Sequence, residues 1–265
     1  YPLNQENTQE EDNTFNTKNI LGNIYVGKVK NIVKNINAAF VEISDGIMCY
    51  LSLTKDINPI LTSNKVNKKK GLVIGDELLV QVSKEKIKKK APLVTTELNF
   101  TGKYVVLVHG NPFVGISSKI KDSKKRKALK DITEPFVTNE YGFIIRTNAT
   151  TVEKDRITEE IKLLIKEYEE VRRYGIYKNR FSLVYQAPPG YICDIRDGFE
   201  KSFDQILTDD EIIYDKIKNY ISNYQAEDRH KLSFYKDDLV SLSNLYGIKS
   251  KLSNLLKVSK EYLIA

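Results

Sequence analysis

The stretch "YGFIIRTNATT", residues 141 to 151, runs an apolar segment straight into a guanidinium, Arg146, and a hydroxyl, Thr147, just ahead of the clearest helical pattern in the chain. A planar, permanently charged fork beside a hydroxyl donor matches the oxygens of a phosphate. Arg146 would also serve as a structural ion-pair partner for a carboxylate of the following helix, such as Glu153. From the residues alone both readings stand.

A second set of side chains suits a single-stranded polyanion. Phe40 and Tyr50 fall on neighbouring strand-like runs, with Lys28, Lys30, Lys84 and Lys90 close by in the pattern. Exposed aromatic faces stack bases while lysines follow the phosphates. The alternative is that Phe40 simply fills a barrel core. Catalytic groups are harder to find. His109 and His230 lie in unrelated segments, which gives no basis for a histidine dyad or a metal cluster. Asp209, Asp210 and Glu211 sit where a helix begins and read as partners of its dipole. No phosphate-binding or dinucleotide glycine pattern occurs, and no nucleophile or general base stands out.

The elements that must position these groups follow from periodicity. Residues 1 to 19 are polar and acidic, a lead-in. From Gly22, the runs "NIYVGKVKNIV", "AAFVEIS", "IMCYLSL", "ELLVQVS" and "LVTTEL" are short, β-rich and separated by Gly, Asn and Lys, which predicts five strands and a small closed barrel. The Lys-rich "SNKVNKKKG" between the third and fourth reads as a solvated loop. After Gly102, "KYVVLV", "GISSKI" and "FIIRT" supply strands and "DSKKRKALKDI" a basic helix. Ile157, Ile161, Leu164, Ile165, Tyr168 and Val171 then hold helical spacing, with Thr150 and Glu153 placed as a capping box at its start. Beyond Arg173 a third, α/β unit is expected: strand "RFSLVYQ", a helix with Ile192, Ile195 and Phe199 on one face, a second capping box at Thr208 and Glu211, strand "KLSFY" and helix "IKSKLSNLLK".

Composition bounds the rest. The 265 residues are 41% hydrophobic, enough for real cores. Lys and Arg exceed Asp and Glu by 42 to 35, which favours a polyanionic partner, although 34 of the 42 are lysines in an Ile- and Asn-rich chain. Cys49 and Cys193 lie in unlike contexts, as in a protein of the reducing cytoplasm. No apolar run is long enough for a membrane helix. The first residue is Tyr1 and the single methionine is Met48, so the chain reads as a fragment.

Four blocks in order, "GNIYVGKVKNIVKNINAAFVEI", "GDELLVQVSKE", "LVTTELNFTGKYVVLV" and "GFIIRTNA", resemble the N-terminal half of bacterial ribonuclease E/G proteins. The resemblance runs from about Gly22 to the C-terminus. It implies an α+β fold in which a five-stranded OB-fold barrel of S1 type and a small α/β 5′-sensor are inserted into a ribonuclease-H-like subdomain. The implied boundaries are residues 1–21 for a remnant of the ribonuclease-H-like part, 22–100 for the barrel, 101–176 for the sensor and 177–265 for the rest of the ribonuclease-H-like part. The catalytic subdomain would lie beyond residue 265. It further implies a parent endoribonuclease that cuts single-stranded RNA with a preference for a 5′-monophosphate. Such a parent would use Mg2+, with Zn2+ at a linking motif, through ligands outside this chain, and would be a homodimer or tetramer.

Carried over to these positions, Arg146 and Thr147 would grip the terminal phosphate, and Gly102 and Val106 would form the other wall. Where family members carry an arginine in the "GIS" strand this chain has Ser118, and Lys119 replaces the charge without the fork. Tyr50 stands where a phenylalanine is usual. Alone, the fragment would bind RNA without cutting it. A competing reading is a ribosome-associated RNA-binding module without a nuclease, and a third is a protein-interaction scaffold.

Overall fold

The computed structural model describes residues 20–53, 58–62, 71–85, 90–198 and 203–261. The lead-in, the Lys-rich insert up to residue 70 and Phe199 lie outside the described residues.

Five strands close the barrel: β1 (Ile24–Val33), β2 (Ala38–Ser44), β3 (Ile47–Ser52), β4 (Glu77–Lys84) and β5 (Leu93–Thr95). Their order is β1-β2-β3-β5-β4, and β4 returns to β1, with β3 and β5 parallel and the other pairs antiparallel. Strand alternation sends Val29, Val41, Ile43, Cys49, Leu51, Leu78, Val80 and Val82 inward as one buried cluster. Each such side chain contributes roughly 1.5–3 kcal/mol by leaving water. In this apolar interior the thiol of Cys49 is pushed up to about 12 by burial, so it packs as a small hydrophobe.

The run "LVTTEL" divides. Its first part is β5, and after a turn β6 (Asn99–Thr101) begins a second sheet with β7 (Val105–His109), β8 (Val114–Ile116) and β9 (Tyr141–Ile145) in the order β6-β7-β9-β8. The strand that ends at Arg146 is therefore central, antiparallel to β7 and parallel to β8. The basic helix α1 (Ser123–Thr133) is capped by Asp122, whose carboxylate accepts from the Lys124 and Lys125 N–H groups. The long helix α2 (Lys154–Gly175) buries Ile157, Ile161, Leu164, Tyr168 and Val171, the face expected from their spacing. Its start differs from the expected capping box. The Thr150 hydroxyl donates to the Thr147 carbonyl at 2.8 Å within a 3-10 turn, Thr147–Thr151, and Glu153 stands at the cap position without a side-chain bond.

Barrel and second sheet share a core. Ile24, Val26 and Leu79, on the outer face of β1 and β4, join Phe100, Leu107, Phe143, Ile145, Ile161 and Tyr168 in one buried cluster. Strand β10 (Leu183–Tyr185) pairs antiparallel with β1; the first strand after α2 thus lies along the barrel.

Residues 190–265 form a second compact unit. Here α3 (Gly190–Asp197) and α4 (Glu211–Tyr224) bury Ile192, Ile195, Ile217 and Ile221 together. Strands β11 (Ile206–Thr208) and β12 (Leu232–Phe234) pair in parallel across α4, a βαβ unit. The short helix α5 (Leu242–Leu245) and α6 (Ile248–Glu261) follow. The second expected capping box is also replaced. Asp210 is the cap, accepting from the Ile213 N–H at 2.9 Å, while the Thr208 hydroxyl accepts from the Asp210 N–H.

Candidate nucleic-acid interface

The end of β9 is a corner where three strands meet. The Arg146 N–H donates to the Tyr104 carbonyl at 2.8 Å and the Ser117 N–H to the Ile145 carbonyl at 2.9 Å. The backbone of Arg146 is thereby pinned between the start of β7 and the end of β8. Its Nη1 donates to the Gly102 carbonyl at 2.6 Å, which fixes the direction of the guanidinium fork.

That carbonyl is held in place by a residue the sequence reading missed. Glu160 of α2 is buried, and its carboxylate accepts from three successive backbone N–H groups: Lys103 at 2.8 Å, Tyr104 at 2.7 Å and Val105 at 2.9 Å. Gly102 makes room for it, because a Cβ there would run into the Glu160 carboxylate. Burial pushes the Glu160 carboxyl above its ordinary range, opposed by the three N–H donors and by the positive charge of Arg146. The positive charge of Arg146 thus acts on a carboxylate of the following helix, Glu160, which also ties down the Gly102 turn. The signal was present: Glu160 falls three residues after Ile157 and four before Leu164, on the apolar face, where an acid is buried only if its oxygens are taken up.

The other residues of this set are distributed around the corner. Thr147 follows directly and opens the 3-10 turn. Val106 pairs with Ile144 on the face of the sheet turned away from the core, half-buried beside an exposed neighbour. Ser118 and Lys119 are exposed in the loop that leaves β8. An arginine does reach this loop, from α1: Arg126 Nη1 donates to the carbonyls of Ser117 and Ile120, both at 3.0 Å.

On the barrel, register decides where Phe40 points. Its neighbours Ala39 and Val41 belong to the interior cluster, so Phe40 lies on the outer surface, half-exposed, directly opposite Tyr50. The two rings meet edge to face with centroids 6.1 Å apart. The row continues from Tyr50 to Leu93 and on to Lys84, two strands or roughly 10 Å away at the usual spacing. Lys28 pairs with Glu42 in the next outward-facing row. Lys30 is already engaged, with Nζ 2.9 Å from the Glu42 carboxylate, and this bond holds the Glu42 carboxyl below the usual range. Lys90 is exposed.

Between barrel and second sheet lies His109, buried on β7. Its Nε2 lies 2.8 Å from the Asn58 carbonyl and its Nδ1 3.0 Å from the Tyr168 hydroxyl; in a neutral ring Nε2–H donates to Asn58 and Nδ1 accepts. Burial pushes its pKa below the ordinary value, consistent with a neutral ring joining a barrel loop to α2.

A closed five-stranded barrel of this strand order, fused through a shared core to a small sheet capped by one long helix, defines an α+β protein built on an OB-like barrel. The Ribonuclease E/G family model matches residues 99–261, more than half of the chain, and the chain belongs to that family. It is 24% identical over 248 residues to ribonuclease G of Haemophilus influenzae, covering 90% of this chain and 50% of the relative. Ribonuclease G of Escherichia coli (strain K12) is 26% identical over 82% of this chain and 46% of its own length. A putative ribonuclease E of Buchnera aphidicola is 27% identical over 97% of this chain and 62% of its own. The chain spans about half the length of the ribonuclease G relatives it matches. Among the described residues no helix is long and apolar enough to cross a membrane.

Proposed function

We propose that this chain is the RNA-gripping part of a ribonuclease E/G-type endoribonuclease of the cytoplasm, acting in RNA processing or decay. The barrel face with Phe40, Tyr50, Lys28 and Lys84 takes single-stranded RNA, with Lys90 at its margin. The corner at Arg146 and Thr147 takes the 5′-monophosphate, with Gly102, Val106 and Lys119 around it. The observation that carries the reading is the Arg146 guanidinium anchored on the Gly102 carbonyl, in a turn locked by Glu160. A fork held in one direction loses little entropy when a phosphate arrives.

In this reading residues 177–265 supply the ribonuclease-H-like part. Cleavage, its Mg2+, any linking Zn2+ and assembly into a dimer or tetramer belong to the parent enzyme. The test is equilibrium binding of one oligonucleotide carrying either a 5′-monophosphate or a 5′-hydroxyl. Tighter binding of the monophosphate is expected, and equal binding of the two contradicts the corner's role.

A further inference from the structure

The stretch "RYGIYKNRF", residues 173 to 181, contains Arg173, Lys178 and Arg180 and three aromatics, without an acidic residue. From Val171 to Cys193 the chain has no Asp or Glu. In a sequence with eight arginines against 34 lysines, two arginines within nine residues of three aromatics is a local departure from composition.

The stretch comprises the last three residues of α2, Arg173 to Gly175, and the open turn that follows them. Tyr174 is 56% and Tyr177 70% exposed, and Arg173, Lys178 and Arg180 are exposed as well. Two cations lie against rings: the Arg173 guanidinium is 4.7 Å from the centroid of Tyr174, and the Arg180 guanidinium is 5.7 Å from that of Phe181. Arg172, by contrast, is paired with Glu140 at 2.8 Å and takes no part. Both ends of the turn are tied down. Gly175 brings the end of α2 so close to the barrel that a Cβ would press on Leu79 and Val184. Phe181 adopts a left-handed φ of 71°, while its N–H donates to the Val26 carbonyl at 2.7 Å and the Val26 N–H to the Ser182 carbonyl at 3.0 Å. A left-handed conformation at a bulky residue persists where the surroundings over-determine it, often at a binding surface.

Position gives the turn its meaning. Along β1, β10 and β2 occupy the same edge, since each faces β4 across the strand. Outward-facing Val26 is covered by the shared core, whereas Lys28, two residues or about 7 Å further, is partly open. The turn sits at that border, where the barrel's outer face begins. Helix α2 spans 22 residues, about 33 Å, and places the turn at the opposite end from the Arg146 corner.

We infer that the turn 173–181 is a second contact for single-stranded RNA, extending the barrel's track on the side away from the 5′ end. Tyr177 stacks a base, Lys178 and Arg180 follow the phosphates, and the ordered Arg173–Tyr174 pair forms the flank. The inference builds on the reading of the chain as an RNA binder. It is tested on the whole 265-residue chain with a fluorescent A/U 15-mer carrying a 5′-hydroxyl, so that the Arg146 corner is not engaged.

Tyr177→Ala should weaken binding roughly five- to hundred-fold, the usual range for one stacked base, with the thermal midpoint unchanged and Tyr177→Phe at wild-type affinity. The double variant Lys178→Ala/Arg180→Ala should lower the slope of log K against log salt by about 1.4, the counterion release of two contacts on a single strand. Phe40→Ala reports on the barrel separately. If it weakens binding while Tyr177→Ala and the double variant bind as wild type, the second contact is overturned and the barrel reading stands. If none of the three alters binding, both fall. A reduced salt slope with no effect of Tyr177→Ala overturns the stacking role, and a loss confined to poly-glutamate as ligand assigns the surface to an acidic protein and overturns the RNA contact.

Discussion

The Arg146 corner and the Phe40–Tyr50 face are built on opposite principles. In the corner a buried carboxylate takes up three backbone N–H groups and the guanidinium is anchored on a carbonyl of the same turn. On the barrel the rings and lysines stand on a half-exposed surface, and one of the lysines is already neutralised by Glu42. A rigid, directed fork discriminates between chemical ends. An open row of rings and cations gives affinity that accumulates residue by residue and fades with salt. On the proposed function, the difference assigns selectivity to the corner and grip to the barrel face, and mutations should separate the two.

The largest effect is expected from removing the corner's support. Glu160→Ala leaves three backbone N–H groups without their acceptor and removes a carboxylate that lies in the field of Arg146, and loss of one partner from such a buried charged network costs about 3–5 kcal/mol. Urea unfolding should show it. Glu160→Gln should cost less, because Oε1 can still accept from Tyr104 and Val105 while the amide opposes only the Lys103 N–H. A Glu160→Ala chain as stable as the parent would mean that the carboxylate does not organise the turn.

Phe40→Ala comes next. It should weaken 5′-monophosphate and 5′-hydroxyl oligonucleotides alike by about 1–3 kcal/mol, with the barrel's circular-dichroism melt unchanged because the ring lies outside the core. An unequal loss would tie the barrel to end recognition and blur the contrast. Lys84→Ala is smaller: one phosphate contact lowers the salt slope by about 0.7, read from binding titrations at several salt concentrations.

The smallest expected effect concerns the seam between the two regions. Neutral His109 uses Nε2–H as donor and Nδ1 as acceptor, and burial depresses its folded-state pKa below the ordinary 6.5. Its contribution is fully present above 6.5 and is lost as pH falls through the depressed value, because the unfolded chain takes up the proton first. Thermal midpoints should therefore decline on acidification below about 6.5, and His109→Gln should flatten that part of the decline.

Much of this architecture was legible in the sequence. Alternation with turn residues located the five barrel strands, and the apolar spacing from Ile157 to Val171 fixed the buried face of α2, since both depend on local periodicity. Both capping boxes failed because neighbouring groups competed: Asp210 offers a stronger acceptor than Thr208, and Thr150 satisfies its hydroxyl within its own turn. The pairing of β10 with β1 is a long-range choice that no local pattern encodes. At the candidate site, Arg146 and Thr147 were visible as an abrupt polar ending to an apolar strand. Whether Phe40 faces in or out was undecidable until register was known, and Glu160 was overlooked although an acid within an apolar helical stripe marks a buried network.

The Arg146 fork is central to the proposed function, and the ratio of affinities for 5′-monophosphate over 5′-hydroxyl forms of one oligonucleotide tests it directly. Arg146→Ala should lower that ratio about 10- to 100-fold, the worth of charge-assisted bonds near 1.5–3 kcal/mol, while binding of the hydroxyl form stays near the parental value. An unchanged ratio, or an equal loss on both ligands, would contradict the claim that this corner reads the 5′ end.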